Sequence, residues 1–495
     1  MKIFYFTLPI IASFFILTQE NSMAQTISWP AGYQGIASNQ HNKSFFIHYK
    51  DGNFDTDTTQ NIDIPVEATC LAYTDPNSGK LLFYSNGCKL YDPNGRIVLG
   101  SELLNEGALA NDVCDKYGYL MDYSMLAVQA PGSTNKVFII HMKGEDLGDP
   151  FYQFTSLLYT TISHSNEGTN LRVENINMPL LSNKKLMPFS ICRHANGRDW
   201  WLICSEKLTG QYHLFLLDPN GFQFKGIQTI RNSIMPFECS EGQRLLFSPQ
   251  ADILAKHSNC GILLMNFDRC EGLIDFRYWQ DLPFQKVPGG DIAFSATGRY
   301  LFVSRRESII RLDLNMVGVS ATPYKRNSIT TPYTIAHQIC LMPNGELIVS
   351  VPNSEKSMHL IVDADNPTNY RFFANSISFP YHIMRSIPHL VTADPGAING
   401  GPCDSLSTDV IDNYNETKFY LYPNPASEAM VLKNIFNHRI QFLKIMDLQG
   451  KLLYTKEVFN HSPHVNLDIS HLPSGNYYLQ VFASKRTELL KFTII

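Results

Sequence analysis

Apolar residues in this chain come in short bursts rich in β-branched and aromatic side chains, and turn signals close each burst. Residues 300–304, 309–314, 346–350 and 359–363 are of this kind, and Asn-Gly, Pro-Gly and Asp-Pro pairs punctuate the chain between such runs. No apolar spacing of 3.6 residues is sustained, so the pattern predicts strands and argues against a helical solenoid.

The bursts also repeat. Phe247-Ser248-Pro249, Phe294-Ser295-Ala296 and Leu341-Met342-Pro343 lie 47 residues apart, and the turn glycines Gly298 and Gly345 keep the same step. Looser copies stand upstream: Asn196-Gly197 before residues 200–203, residues 132–135 before 137–141, and residues 77–80 before 81–84. Strand, turn, strand, loop, strand at that period describes one propeller blade. Roughly 365 residues at about 50 per blade give seven blades, with six or eight as the alternatives, the last one expected to close the ring by pairing residues 43–49 with 370–389. From residue 392 the chain changes character, with Pro395-Gly396, Gly400-Gly401-Pro402 and a polar run over 404–416, which reads as a linker. Beyond it, Val465, Leu467 and Ile469, then Tyr477, Leu479 and Val481, then Leu490, Phe492 and Ile494 alternate as in a small Ig-like sandwich. The expected fold is therefore all-β: a propeller over 25–391, a linker over 392–418 and a sandwich over 419–495.

Composition agrees with this picture. Of 495 residues 44% are hydrophobic and 17% charged, and 31 Phe and 24 Tyr suit pleated, half-buried strands. Net charge is -5, and no Lys or Arg run makes a phosphate-binding stripe, which argues against nucleic acid as a partner. Lys2, the apolar residues 3–17 and Ser22-Met23-Ala24 read as a signal peptide over 1–24, leaving Gln25 first. That apolar stretch, interrupted by Pro9, is shorter than the ~20 residues a membrane span needs, and no later stretch reaches that length, so no transmembrane segment is expected in the mature protein. Ten cysteines contain no CxxC pair. Export makes disulfides possible, whereas Cys192, Cys204 and Cys340 sit in apolar runs and are expected as buried thiols.

The C-terminal residues carry a further signal. Tyr422-Pro423-Asn424-Pro425, then residues 445–451 with Asp447, Gly450 and Lys451, then 472–478 with Ser474, Gly475 and Tyr477, and finally Lys491 follow in order. Together they resemble the type A sorting domain of the Bacteroidota type IX secretion system, the Por secretion tail. The resemblance implies Sec export, periplasmic folding, recognition by the type IX machinery, outer-membrane translocation, and tail removal with attachment to surface lipopolysaccharide or release. Residues 79–88, 130–135, 194–201 and 266–272 are similar to a group of uncharacterised Bacteroidota surface propellers that bear such tails. Pro402-Cys403-Asp404-Ser405-Leu406 follows the last blade as in that group, although residues 388–397 lack the group's usual turn. The group has no settled activity.

Candidate chemistry is sparse. Asp199-Trp200 with Arg193 and His194 reads as a tight hairpin whose tryptophans bury between blades, and Asp268 with Arg269 as a blade-edge ion pair. Asp51, Asn53, Asp55 and Asp57 are spaced like calcium ligands, but Thr56 stands where an EF-type loop needs Gly and no Glu follows at the twelfth position. A solvated hairpin loop is the expectation, with no cofactor and calcium as the one candidate ion. No nucleophile elbow, His-Glu-Xaa-Xaa-His helix or phosphate loop is present. The expected function is a non-enzymatic binding or adhesion module that presents its loops to a protein or surface glycan. The alternative is an exported hydrolase or lyase acting on a polysaccharide or lactone from the central channel. Convergent carboxylates, or a Glu, His and Arg set around a cation, would mark the enzyme; an apolar or polar plug would mark the binder.

Overall fold

The computed structural model describes residues 26–32, 43–62, 64–76, 78–145, 152–165, 170–207, 209–230, 241–282, 290–305, 308–315, 338–351, 355–385, 387–398, 403, 419–434, 440–447, 451–458, 464–483 and 486–495. The signal peptide over 1–24 and the polar run over 404–416 lie outside them. The chain forms two compact units, Met1–Leu406 and Ser407–Ile495.

The first unit is a β-propeller, and its described residues form seven consecutive antiparallel meanders. Blade 1 holds β1 (Ile27–Ala31), β2 (Ser44–Lys50) and β3 (Asn53–Ile62), and blade 2 holds β4 (Leu71–Thr74), β5 (Leu81–Ser85) and β6 (Leu90–Tyr91), followed by helix α1 (Ala108–Val113). Blade 3 holds β7 (Met125–Gln129), β8 (Lys136–Glu145), β9 (Gln153–Ser163) and β10 (Arg172–Leu181). Blade 4 holds β11 (Leu186–Arg193), β12 (Trp200–Glu206), β13 (Gln211–Asp218) and β14 (Gly221–Thr229). Blade 5 comprises β15 (Glu241–Phe247), β16 (Ile253–Ser258), β17 (Gly261–Asp268) and β18 (Leu273–Asp281), and blade 6 comprises β19 (Asp291–Phe294), β20 (Tyr300–Arg305) and β21 (Ser308–Asp313). Blade 7 comprises β22 (Ile339–Leu341), β23 (Leu347–Val349), β24 (Glu355–Val362) and β25 (Arg371–Ile383). A single pairing, Leu186 with Phe154, joins blades 3 and 4.

Both faces of a blade are apolar, so each must be covered by a neighbour. Separate buried clusters fill the junctions of blades 2 and 3, 3 and 4, 4 and 5, 5 and 6, and 6 and 7. One more cluster contains Trp29 and Phe46 of blade 1, Tyr84 of blade 2 and Met342 and Ile348 of blade 7, and so completes the circle. The 47-residue repeat falls at matching places: Phe247, Phe294 and Leu341 each end the first strand of a blade. Gly298 and Gly345 take positive φ in the turn that follows, at 73° and 86°, where a side chain is strained.

Ring closure differs from expectation. β2 pairs with β1 and with β3, and β25 pairs with β24, so residues 43–49 and 370–389 share no ladder. The cause is local. Asp51 and Gly52 both take positive φ, 51° and 81°, and this tight hairpin lays β3 along the edge that closure would have used. The seam is made by side chains instead, with the Phe45 ring 5.9 Å from those of Phe379 and Tyr381.

The first residues of the expected linker, 392–398, have partners on the propeller. Ala393 is buried in the junction of blades 4 and 5, Ile398 donates its amide to the Ala195 carbonyl at 2.9 Å, and Cys403 is disulfide-bonded to Cys270. Turn-rich composition marked a segment that lacks regular structure, yet its backbone groups find partners on the propeller. A second disulfide joins Cys88 and Cys114, while Cys70, Cys192, Cys204 and Cys340 are buried free thiols.

The second unit is a sandwich of two antiparallel sheets. One has the order β26 (Phe419–Tyr422), β27 (Ala429–Asn434), β30 (His464–Asp468); the other runs β29 (Leu452–Glu457), β28 (Ile440–Asp447), β31 (Gly475–Ala483), β32 (Arg486–Ile494). The alternating residues from Val465 to Ile494 named above all lie in its core.

Two measurements follow from this packing. Gly345→Ala would meet only ordinary contacts, the nearest 3.5 Å away, so its expected cost of about 1–2 kcal/mol in urea unfolding is that of the left-handed backbone alone; no loss would show that the turn relaxes. His141 is buried between Asn105 and Thr160. Its Nδ1 donates to Asn105 Oδ1 at 2.7 Å, and the Thr160 hydroxyl, 2.9 Å away, donates to Nε2. Burial pulls its pKa down to about 3, and burial with Arg305 nearby pulls His257 down to about 4. The unfolded chain therefore binds more protons below pH 6.5. The stability these rings supply is complete above 6.5 and declines as pH falls through that value toward 4, by up to ~1.4 kcal/mol per pH unit for each. His141→Gln should make the stability curve shallower by about that slope between pH 6 and 4.5, and an unchanged slope would contradict a neutral buried ring.

Candidate functional site

The innermost strand of a blade crosses the ring, so residues near its start gather at one mouth of the channel and residues near its end at the other. Arg244, Asp291 and Gln338 stand near the starts of the first strands of blades 5, 6 and 7, at the same 47-residue step. Asp291 is fully buried. Its carboxylate accepts the amides of Ile292 at 2.7 Å and Ile339 at 2.9 Å and the Tyr123 hydroxyl. Arg244 Nε lies 3.8 Å from Asp291 Oδ1, and its guanidinium covers the Tyr123 ring, 3.6 Å from the centroid. Burial raises the Asp291 pKa against the opposing pull of Arg244 and the amides, and burial together with the Asp291 charge raises that of Tyr123. Beside them Asp122 takes Arg385 Nη1 at 3.1 Å and Gln338 Nε2 at 3.3 Å. Blades 3, 5, 6 and 7 thus meet on one polar knot.

The chain that leaves β25 occupies the axis. Arg385 donates its amide to the Glu67 carbonyl at 3.1 Å, and Ile387 donates to Gln338 Oε1 at 3.4 Å. Pro388 presents its carbonyl to the Cys340 thiol. Deeper still, His389 Nδ1 donates to the Met125 carbonyl at 3.1 Å, with its ring 5.5 Å from Tyr123 and 5.9 Å from Phe189. Burial, and then Arg244, hold the His389 pKa well below the usual imidazole range, so the ring is neutral. Val391 joins the core between blades 3 and 4, and the Ala393 carbonyl accepts the Arg193 amide at 3.0 Å where β11 ends. Asp394 grips the Arg193 guanidinium with both oxygens, at 2.6 and 2.8 Å. The segment therefore enters at the mouth where inner strands start and leaves at the mouth where they end. The carboxylates of Asp122 and Asp291 at the first mouth are engaged by cations, amides or a phenol, and among the described residues no group of three or more His, Cys, Asp or Glu could hold a metal ion.

The residues singled out in the sequence have structural work to do. Asn196 Oδ1 accepts the amides of Arg198 and Asp199, and Asp199 pairs with Arg198 at 2.7 Å, closing the hairpin. Trp200 belongs to the cluster of blades 3 and 4, Trp201 to that of blades 4 and 5, as expected of tryptophans buried between blades. Arg193 lies 3.4 Å over the Trp200 ring. His194 Nε2 is 3.1 Å from the Cys270 carbonyl. Arg269 spends its donors on the carbonyls of Arg193, His194, Pro395 and Gly396 rather than on the neighbouring Asp268, whose Oδ1 accepts the amides of Cys270 and Glu271. Clamping the exiting chain is its role.

The calcium-like spacing dissolves. Only Asp51 lies in the turn; Asn53, Asp55 and Asp57 lie on β3, where alternate residues stand about 6.6 Å apart along one face and do not converge. Asp55 accepts the Thr56 amide, and Asp57 accepts the amide and hydroxyl of Thr59.

In the second unit the motif residues divide. Asn424 stitches the entry loop to β32, donating to the Lys491 carbonyl at 3.1 Å and accepting the Thr493 amide at 3.0 Å. Asp447 accepts the Lys451 amide at 2.9 Å, and Gly450 lies outside the described residues. Ser474 and Gly475 lead into β31, where Tyr477 is buried against Phe492 with its hydroxyl 2.6 Å from the Pro473 carbonyl. Tyr422, Pro423, Pro425, Lys451, Ser474 and Lys491 are exposed.

Sequence reading passed over Tyr123, Arg244, Asp291, Arg385 and His389. One signal for them existed: the repeat, applied to polar positions three residues before Phe247, Phe294 and Leu341, lands on Arg244, Asp291 and Gln338. Nothing comparable marks Tyr123 or residues 385–389, which lie outside the repeat.

No curated protein matches the chain. Among solved structures, a candidate 6-phosphogluconolactonase from Bacteroides fragilis is 11% identical with a TM-score of 0.41, covering 73% of this chain and 97% of that one. A second candidate 6-phosphogluconolactonase, from Bacteroides uniformis, is also 11% identical, with a TM-score of 0.37 and coverage of 90% and 99%. At such likeness the activity in those names remains a property of those proteins. Residues 420–495, the sandwich just described, match the family model of the secretion system C-terminal sorting domain, which marks the chain as cargo that the type IX system delivers to the cell surface or the extracellular space.

Proposed function

We propose that the exported propeller is a non-catalytic recognition module for a surface glycan or protein. The observation that carries this reading is the filled axis: Ile387, Pro388, His389, Leu390 and Val391 occupy the space where a propeller enzyme would hold substrate, and Asp122 and Asp291 beside them are already engaged. Recognition then falls to the loops that rim the ring. Binding arrays of glycans and neighbouring-cell proteins, run beside turnover assays on polysaccharides and lactones, test it. Saturable binding without turnover is expected. Uniformly null binding with a turnover that Asp291→Asn abolishes would sink the idea.

The sorting residues are proposed to act in two ways, with residues 1–24 directing Sec export first. Tyr477 holds the sandwich together, so Tyr477→Ala should lower the unit's stability by about 3–5 kcal/mol, as loss of a large buried ring does. Lys491 and Tyr422 are exposed and available to the machinery. Lys491→Ala and Tyr422→Ala should leave stability within about 0.5 kcal/mol and lower the exported fraction on cell fractionation. Deleting residues 419–495 should strand the protein in the periplasm; normal export of that form would contradict the assignment.

A further inference from the structure

We propose that Arg385 and residues 387–398 form an axial strap that closes the propeller in place of strand exchange, and that the Cys270–Cys403 disulfide is the clasp that keeps the strap threaded. Among the described residues no strand pairing crosses from blade 7 to blade 1, because β2 already has a partner on each side and β25 pairs with β24. Among the described residues the seam is made by side-chain packing rather than by a ladder of hydrogen bonds.

The strap supplies what the seam lacks. Near its start it is bonded to Glu67, ahead of blade 2, and to Gln338, ahead of blade 7, and Ile387 is buried in the seam cluster itself. These attachments lie on opposite sides of the seam, so separating blades 1 and 7 requires breaking them. At the other mouth Arg193, Arg269 and the disulfide hold it to blades 4 and 5. The clasp spans 133 residues of sequence, and without it the end of the strap beyond the buried Ala393 is held by the hydrogen bonds and ion pair that Arg193, Arg269 and Ala195 make to it.

Free thiols report on this device. Cys340 lies against the Pro388 carbonyl and Cys70 belongs to the same seam cluster, whereas Cys204 is buried between blades 3 and 4 and serves as an internal reference. In the full chain carrying Cys270→Ser and Cys403→Ser, alkylation followed by mass spectrometry should show Cys340 and Cys70 reacting at least about tenfold faster than in the parent, with Cys204 changed less than about twofold. Removing the Cys88–Cys114 disulfide by Cys88→Ser and Cys114→Ser should leave the Cys340 rate as it was. Should the first variant fail to fold, Arg385→Ala combined with Asp394→Ala in the oxidised chain is read in the same way. Equal acceleration at all these cysteines, or no acceleration at Cys340 relative to Cys204, overturns the proposal.

Discussion

A sheet that is apolar on both faces cannot stop being covered, and that requirement governs the propeller. Six of its seven junctions are supplied by the next meander along the chain, brought alongside by a short connection. The seventh has no next meander. It is built from residues distant in sequence, Trp29, Phe45 and Phe46 against Met342, Ile348 and Phe379, and it depends on the ring having already curved far enough for its ends to meet. Local order in every other blade therefore converges on one non-local contact, the kind that costs chain entropy before it returns any burial.

The same geometry explains why a polar knot stands on the axis. Inner strands converge at the mouth where they start, and charges placed there are removed from water whether or not a ligand comes. Asp291 remains tolerable because two amides, a phenol and a guanidinium surround it, and Asp122 because Arg385 reaches it from the exiting chain. Removing one partner of such a set leaves a buried charge behind, which costs more than the pair contributes. The knot thus fixes the register of several blades around a common centre, and its chemistry is spent on that.

How much of this was legible in the sequence depended on whether the determinant was local. Hairpin turns at Gly298 and Gly345, the strands on either side of them, the tryptophans at blade junctions and the alternating core of the sandwich are set by neighbours a few residues away, and the sequence shows them. Closure was misread because the Asp51-Gly52 turn, which decides where β3 goes, was taken for part of a solvated loop. Over residues 392–398 Pro and Gly mark a lack of regular structure, which is a different property from a lack of partners. The site around Asp291 joins residues more than a hundred positions apart, from Tyr123 to His389. Only its three members on the 47-residue step left a trace that composition and spacing could expose.

The place where the propeller lets go of the chain has a mechanical meaning. Cys403 is tied to Cys270 in blade 5, at the mouth where inner strands end. Any tension applied from the C-terminal side, whether by translocation or by a tether, passes through that covalent bond into the body of blade 5. A covalent route into blade 5 thus stands beside the strap's hydrogen bonds, and a pull on the tail need not unlace the ring.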